Sequence, residues 1–222
     1  MDKKDVLSVL LGGVIGVLLG GYVRDDCIKS LDSLINDRSG VCVAGSVEPE
    51  FEIPLSHYLR VKTSLHTFTS IADKVDTRDP FVAGLAKILT KGVYSDEEKA
   101  QKILDFVNTN IAYSVKFEEY GEYIKHPVET LVEREGDCED TSILAASLLG
   151  SIGVKSVIVT LHGKSNFGHV VVGVAGDFDG YMIHYRNTKY YLAETTGSSK
   201  IKIGDLSEKF SQYTVSEVIP VF

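Results

Sequence analysis

Residues 6–23, VLSVLLGGVIGVLLGGYV, run without a charge, flanked by Lys3 and Lys4 before and by Arg24, Asp25 and Asp26 after. Eighteen apolar-dominated positions are the short end of what crosses a hydrocarbon core as a helix. The run contains five glycines, poor choices for a buried helix in water. The pattern predicts an N-terminal membrane anchor over residues 1–26; a cleaved signal peptide and a buried soluble helix are the alternatives. The basic residues before the span imply an inside N-terminus and an extracytoplasmic remainder. Gly12, Gly16 and Gly20 recur at spacing four, a stripe on which a second helix can pack, and so a self-association surface. Residues 27–54 are turn-rich and read as a tether to a domain at 55–222.

Periodicity then becomes helical. Leu59, Leu65, Phe68, Ile71 and Val75 mark apolar points between Leu55 and about Thr90. Asp79-Pro80 reads as a cap followed by proline in the first turn, ahead of FVAGLAKILTKG. In SDEEKAQKILDFVNTNIAY, Ser95 can cap, Glu98 completes a capping box, and Ala100, Ile103, Leu104, Phe106 and Val107 form one face. This helix should end near Asn108–Asn110. His126-Pro127 disfavours helix immediately before it, so 128–133 is a turn or short helix. Asp137 can then cap a helix starting at Cys138, with Ile143, Leu144, Ala146 and Leu148 inward and Gly150 and Gly153 as its stop.

After residue 153 the pattern changes to β-rich runs: VKSVIVTL (154–161), HVVVGVA (169–175), and YMIHYR and KYYLAE either side of an Asn187-Thr188 turn. LSEKFSQY is a candidate short helix and VSEVIPVF a last strand. Helices followed by antiparallel strands define an α+β domain. If the strands after His169 form a meander, His169 and Glu194 can meet at one sheet end.

Composition narrows the partners. The chain has 222 residues, a net charge of −8 and 24% charged residues. Without a basic stripe, nucleic acid is excluded as the main partner. Three cysteines are too few for a disulfide scaffold, although Cys27 and Cys42 could pair on an oxidising side of a membrane.

Chemistry concentrates at EGDCED. A helix N-terminus stabilises a thiolate, and its free N–H groups can hold an oxyanion. Asp137, Glu139 and Asp140 act against this, because like charge raises a thiol pKa. A lone helical cysteine is most often a small buried hydrophobe. A nucleophile needs a base and the base an orienting group. His169, opening a strand, and Glu194, closing another, are the candidates. Metal-ligand spacings such as C-x-x-C or H-E-x-x-H are missing, and DFDGY at 177–181 does not complete a calcium loop; neither a metal nor another cofactor is expected.

HPVETLVEREGDCEDTSILAASLLGSIGVKSVIV, then GHVVVGV, then YYLAETTG resemble the transglutaminase-like superfamily in order and spacing, over roughly residues 80–200. ILDFVNTNIAYSV resembles the helix and Ile-x-Tyr segment that precede them. The resemblance implies a papain-like core at about 80–205, with a helix bundle whose nucleophile helix packs on an antiparallel sheet. It also implies a triad of Cys138 as nucleophile, His169 as base and Glu194 as orienting acid, where many members carry Asp. Gly136 would allow the tight turn before the helix, and Tyr113 is a candidate oxyanion donor from its place in the chain. The implied reaction is acyl transfer on an amide or peptide bond of a protein or peptide substrate. Hydrolysis is favoured over crosslinking, since nothing in the sequence provides for exclusion of water. Protein-glutamine transglutaminase and a non-catalytic binding module on the same fold are the alternatives.

Overall fold

The computed structural model describes residues 43–47, 51–63, 70–114, 123–163, 168–197 and 199–221. Among these no helix is long and apolar enough to cross a membrane. The apolar run 6–23, its Gly12/Gly16/Gly20 stripe, Cys27 and Cys42 lie outside the described residues. The chain divides into two compact units, Met1–Arg60 and Val61–Phe222. In the first, strands β1 (Val43–Val47) and β2 (Phe51–Pro54) pair antiparallel as a hairpin. Helix α1 (Leu55–Lys62) follows across the division.

The second unit begins with the helical half. Helix α2 is one turn, Ile71–Lys74, so the expected helical stretch from 55 to 90 is broken. Asp76 breaks it: its Oδ1 accepts from the backbone N–H groups of Arg78 and Asp79 and folds the chain into a turn. Asp79 then caps α3 (Pro80–Leu89) by accepting from Phe81 N and Val82 N, with proline in the first turn as the sequence implies. Helix α4 (Asp96–Asn110) starts at Ser95, whose hydroxyl accepts from Glu98 N. The reciprocal half of the expected capping box is not formed. Two residues of strand β3 (Ala112–Tyr113) pair in parallel with β4 (Glu135–Gly136). Between them lies α5 (Pro127–Glu133), capped by His126.

Helix α6 (Cys138–Ser151) is the centre of the unit. Eleven of its residues are buried, because it packs on the sheet through β5 and β6 and on α3, α4 and α5 elsewhere. A helix covered on every side carries apolar or hydrogen-bonded residues all round, which is why TSILAASLL is apolar or hydroxylic without a polar face. Gly150 lies inside this helix and does not end it; Gly153, at φ +79°, does.

Five antiparallel strands complete the layer: β5 (Ser156–His162), β6 (Gly168–Ala175), β7 (Met182–Tyr185), β8 (Thr188–Ala193) and β9 (Thr214–Pro220), in the order β7-β8-β6-β5-β9. This is not a simple meander after His169. β8 lies between β6 and β7, with Val172 opposite Ala193. β8 takes the interior: Tyr190, Tyr191, Leu192 and Ala193 are buried, whereas β7 is half-exposed at the edge. Arg186 and Asn187, both at positive φ, make the tight turn between them. One short helix, α7 (Glu208–Ser211), precedes β9. Mixed helix and sheet, with α6 against the sheet, is the α+β arrangement expected.

Candidate active site

Three chain segments converge at the N-terminus of α6. The helix starts there because the Asp137 carboxylate accepts from Glu139 N and Asp140 N, satisfying two of the free donors of the first turn. Thr141 N bonds Asp137 O, so the Cys138 N–H is left without a hydrogen bond among the described residues. Gly136 is required by close approach: a Cβ there would lie 2.6 Å from the Asp140 Cβ. Its role is this contact, in place of the turn freedom expected. Asp140, 3% exposed, accepts from Lys125 N at 2.7 Å and Asp137 N at 3.4 Å, tying the segment before α5 to the cap of α6.

His169 is the second residue of β6, and Glu194 is the first residue after β8, the neighbouring antiparallel strand. Both are buried. His169 Nε2 lies 2.9 Å from Glu194 Oε2 and 3.1 Å from Oε1. An ionised carboxylate only accepts, so Nε2 carries the proton and Nδ1 is the basic nitrogen. Among the described residues no hydrogen bond engages Nδ1. Burial raises the Glu194 pKa, but the His169 hydrogen bond and charge and the Thr196 donors outweigh it and hold the carboxyl below its ordinary value.

Hydroxyls join these segments. Thr195 Oγ1 is 3.0 Å from both Thr141 Oγ1 and Ser142 Oγ, and Ser142 donates to Val170 O at 3.1 Å. The backbone of Val170, next to His169, also acts on Cys138, favouring its thiolate. The Cys138, His169 and Glu194 segments are therefore held together, and the His169–Glu194 pair is formed. No hydrogen bond joins Cys138 to His169. The thiol instead donates to Glu139 Oε2 at 2.9 Å. Burial, then the charge and hydrogen bond of Glu139, push the thiol well above its ordinary value, against the Val170 backbone. The penalty foreseen from the acidic neighbours is present, with Glu139 its largest charged source.

Tyr113 is 57% exposed, paired in backbone register with Gly136. Burial and then the charges at Cys138, Asp137 and Glu139 raise its pKa, so its hydroxyl keeps its proton. Three further residues were not legible in the sequence. Phe210 of α7 stacks on the His169 ring, centroids 3.6 Å apart and planes at 10°. Buried Asn108 of α4 donates to Glu194 O and accepts from Gly197 N, closing the loop that carries the acid. Thr196 donates to Glu194 Oε1. A polar residue on the otherwise apolar face of α4 is a signal for Asn108, and hydroxyls directly after an acid are one for Thr196; nothing local marks Phe210.

Among the described residues no cluster of His, Cys, Asp and Glu is arranged to hold a metal ion. The sequence pattern of the transglutaminase-like domain matches residues 82–203, more than half of the chain, and spans α3 to the loop after β8.

The chain belongs to the transglutaminase-like family.

The matched region contains Cys138, His169 and Glu194. Three solved structures are similar over part of their length. Calcium-bound LapG of Legionella pneumophila is 21% identical, with a TM-score of 0.45, over 65% of this chain and 76% of that one. A second structure of the same LapG is 22% identical, with a TM-score of 0.42, over 65% and 74%. A candidate cysteine protease from Cytophaga hutchinsonii is 14% identical, with a TM-score of 0.41, over 63% and 49%. No curated protein matches the chain.

Proposed function

We propose that the domain is a thiol acyl-transfer enzyme that hydrolyses an amide or peptide bond, with Cys138 as nucleophile, His169 as general base and Glu194 as its orienting acid. The observation that carries the reading is the buried His169–Glu194 pair. It fixes the imidazole tautomer, commits Nε2 to the carboxylate and leaves Nδ1 basic, at the strand start whose next residue accepts the Ser142 hydroxyl of α6.

In the resting site the thiol keeps its proton on Glu139. Catalysis begins when that carboxylate turns away and Nδ1 takes the proton. The thiolate attacks the substrate carbonyl carbon, and the Cys138 N–H receives the developing oxyanion, with the Tyr113 hydroxyl as a second donor. The tetrahedral adduct collapses as the C–N bond breaks, and the imidazolium gives its proton to the leaving amine. Water then attacks the thioester, Nδ1 takes its proton, and the C–S bond breaks to release the acid and return the thiol. Transamidation would substitute an amine for that water. Hydrolysis is the reading here because the sequence provides no device to exclude water. The apolar run 6–23 supports a membrane-anchored enzyme with this domain on the extracytoplasmic side.

A second reading, a non-catalytic binding module, draws support from the Cys138–Glu139 contact, since a thiol kept protonated is not a nucleophile. Alkylation of the full-length chain with iodoacetamide across a pH series, followed on the Cys138 peptide by mass spectrometry, separates the two. Reaction well below about 8.5, the free-thiol value, and its loss in His169→Ala are expected of the enzyme. Reaction only above that value, indifferent to His169, would assign the module.

A further inference from the structure

The loop after β8 fixes one oxygen of the orienting acid. Glu194 Oε1 accepts Thr195 N–H at 3.0 Å, Thr196 N–H at 3.0 Å and the Thr196 hydroxyl at 2.8 Å. His169 Nε2 is nearer the other oxygen, Oε2. A carboxylate oxygen has two lone-pair directions, so three donors crowd Oε1, and Nε2, 3.1 Å from it, makes its shorter contact of 2.9 Å with Oε2. Two of these donors are backbone groups, placed when Asn108 closes the loop through Glu194 O and Gly197 N. The third is a side chain, and it makes the shortest of the three bonds.

A glutamate side chain has three rotatable bonds and needs such anchoring to hold one orientation. The Thr196 hydroxyl holds Oε1, the oxygen farther from His169 Nε2, and so opposes rotation about the last of these bonds. The titratable groups facing Glu194 are His169 from β6 and, through longer-range charge, Tyr113 from β3. From α4 it meets the neutral Asn108 through its own backbone carbonyl.

We propose that Thr196 is a positioning residue of the triad: its hydroxyl locks the Glu194 carboxylate in the orientation that receives the His169 Nε2 proton and so keeps Nδ1 as the base. This rests on the reading of Cys138, His169 and Glu194 as a catalytic set. Among the described residues Thr196 hydrogen-bonds Glu194 and neither the thiol nor the imidazole, so its effect passes through Glu194.

The test is the pH profile of Cys138 alkylation by iodoacetamide in the full-length chain, for wild type, Thr196→Val, Thr196→Ala and Thr196→Ser. Without the hydroxyl the carboxylate accepts a proton at higher pH, because one hydrogen bond to its charged form is gone. The acid limb of the profile should therefore move up by about one pH unit in both the Val and Ala variants, with the alkylation rate unchanged on the plateau. Thr196→Ser restores the wild-type limb. A structural role alone would lower the rate at every pH and leave the limb in place, and that result overturns the proposal. So does an acid limb in the Ala variant that coincides with wild type, which keeps the test decisive if the Val variant does not fold. If wild type shows no His169-dependent reactivity, the triad reading falls and the role of Thr196 with it. If wild type shows that reactivity and only the Thr196 variants fail to shift, this inference alone is lost.

Discussion

Glu139 Oε2 stands 2.9 Å from Cys138 Sγ, so the residue that follows Cys138 in sequence also accepts its thiol hydrogen bond. A carboxylate at that distance penalises the thiolate by like charge and rewards the thiol by accepting its hydrogen bond, and the two effects act in the same direction. Glu139→Gln removes the charge and keeps the shape. The expected result is alkylation of Cys138 faster by about tenfold at neutral pH, one unit of thiol pKa being a factor of ten in thiolate. An unchanged or slower rate, read on the Cys138 peptide, would mean that Glu139 is not the brake.

Asp140 ionises in the physiological range. Burial, then the charge of Asp137, raise it from the ordinary 3.8 to about 7, against the Lys125 backbone bond and charge. The sign follows from proton binding: between these two values the folded chain holds a proton that the unfolded chain has lost. This contribution to stability is complete below 3.8, declines as pH rises, and is gone above about 7. Urea unfolding of wild type and Asp140→Asn at a series of pH values isolates it. Wild type should lose stability relative to the variant with rising pH, by up to about 1.4 kcal/mol per pH unit. A difference that stays flat across the window would show that Asp140 keeps an ordinary pKa.

Asn108 is 2% exposed and satisfies two backbone groups of the acid-bearing loop. Asn108→Ala leaves the Glu194 carbonyl and the Gly197 N–H without these partners, at a cost of about 2 kcal/mol. Equilibrium unfolding gives the first readout. Alkylation of the folded fraction gives the second and should slow, because a loosened loop no longer aims Glu194 at His169. Full stability together with wild-type alkylation would remove Asn108 from any role in the site.

Local chemistry was the legible part of this protein. Asp79-Pro80 and Asp137-Cys138 carry their structure in a few adjacent residues, and each forms as the sequence implies; the turn expected at Asn187-Thr188 forms one residue earlier, at Arg186-Asn187, with Thr188 opening β8. The strand order was not legible, because it depends on β8 being more deeply buried than β7, a difference that only packing decides. The pairing of His169 with Glu194 was accessible through motif order. The partner that Cys138 actually has, Glu139, was recognised as a charge and not as a hydrogen-bond acceptor, since one rotamer separates the two. Phe210 and Asn108 reach the site across the fold, and no local pattern connects either of them to residue 169 or 194.

Phe210 carries a consequence for the order of events during synthesis. The ring that covers His169 belongs to α7, which leaves the ribosome only after Cys138, His169 and Glu194 have emerged, and β9 must still pair with β5 behind it. A nascent chain with Cys138, His169 and Glu194 already exposed lacks the aromatic wall against the His169 ring. The same dependence makes the segment around Ser207–Tyr213 a point at which a protease cut would uncover the His169 ring without touching any of the three residues.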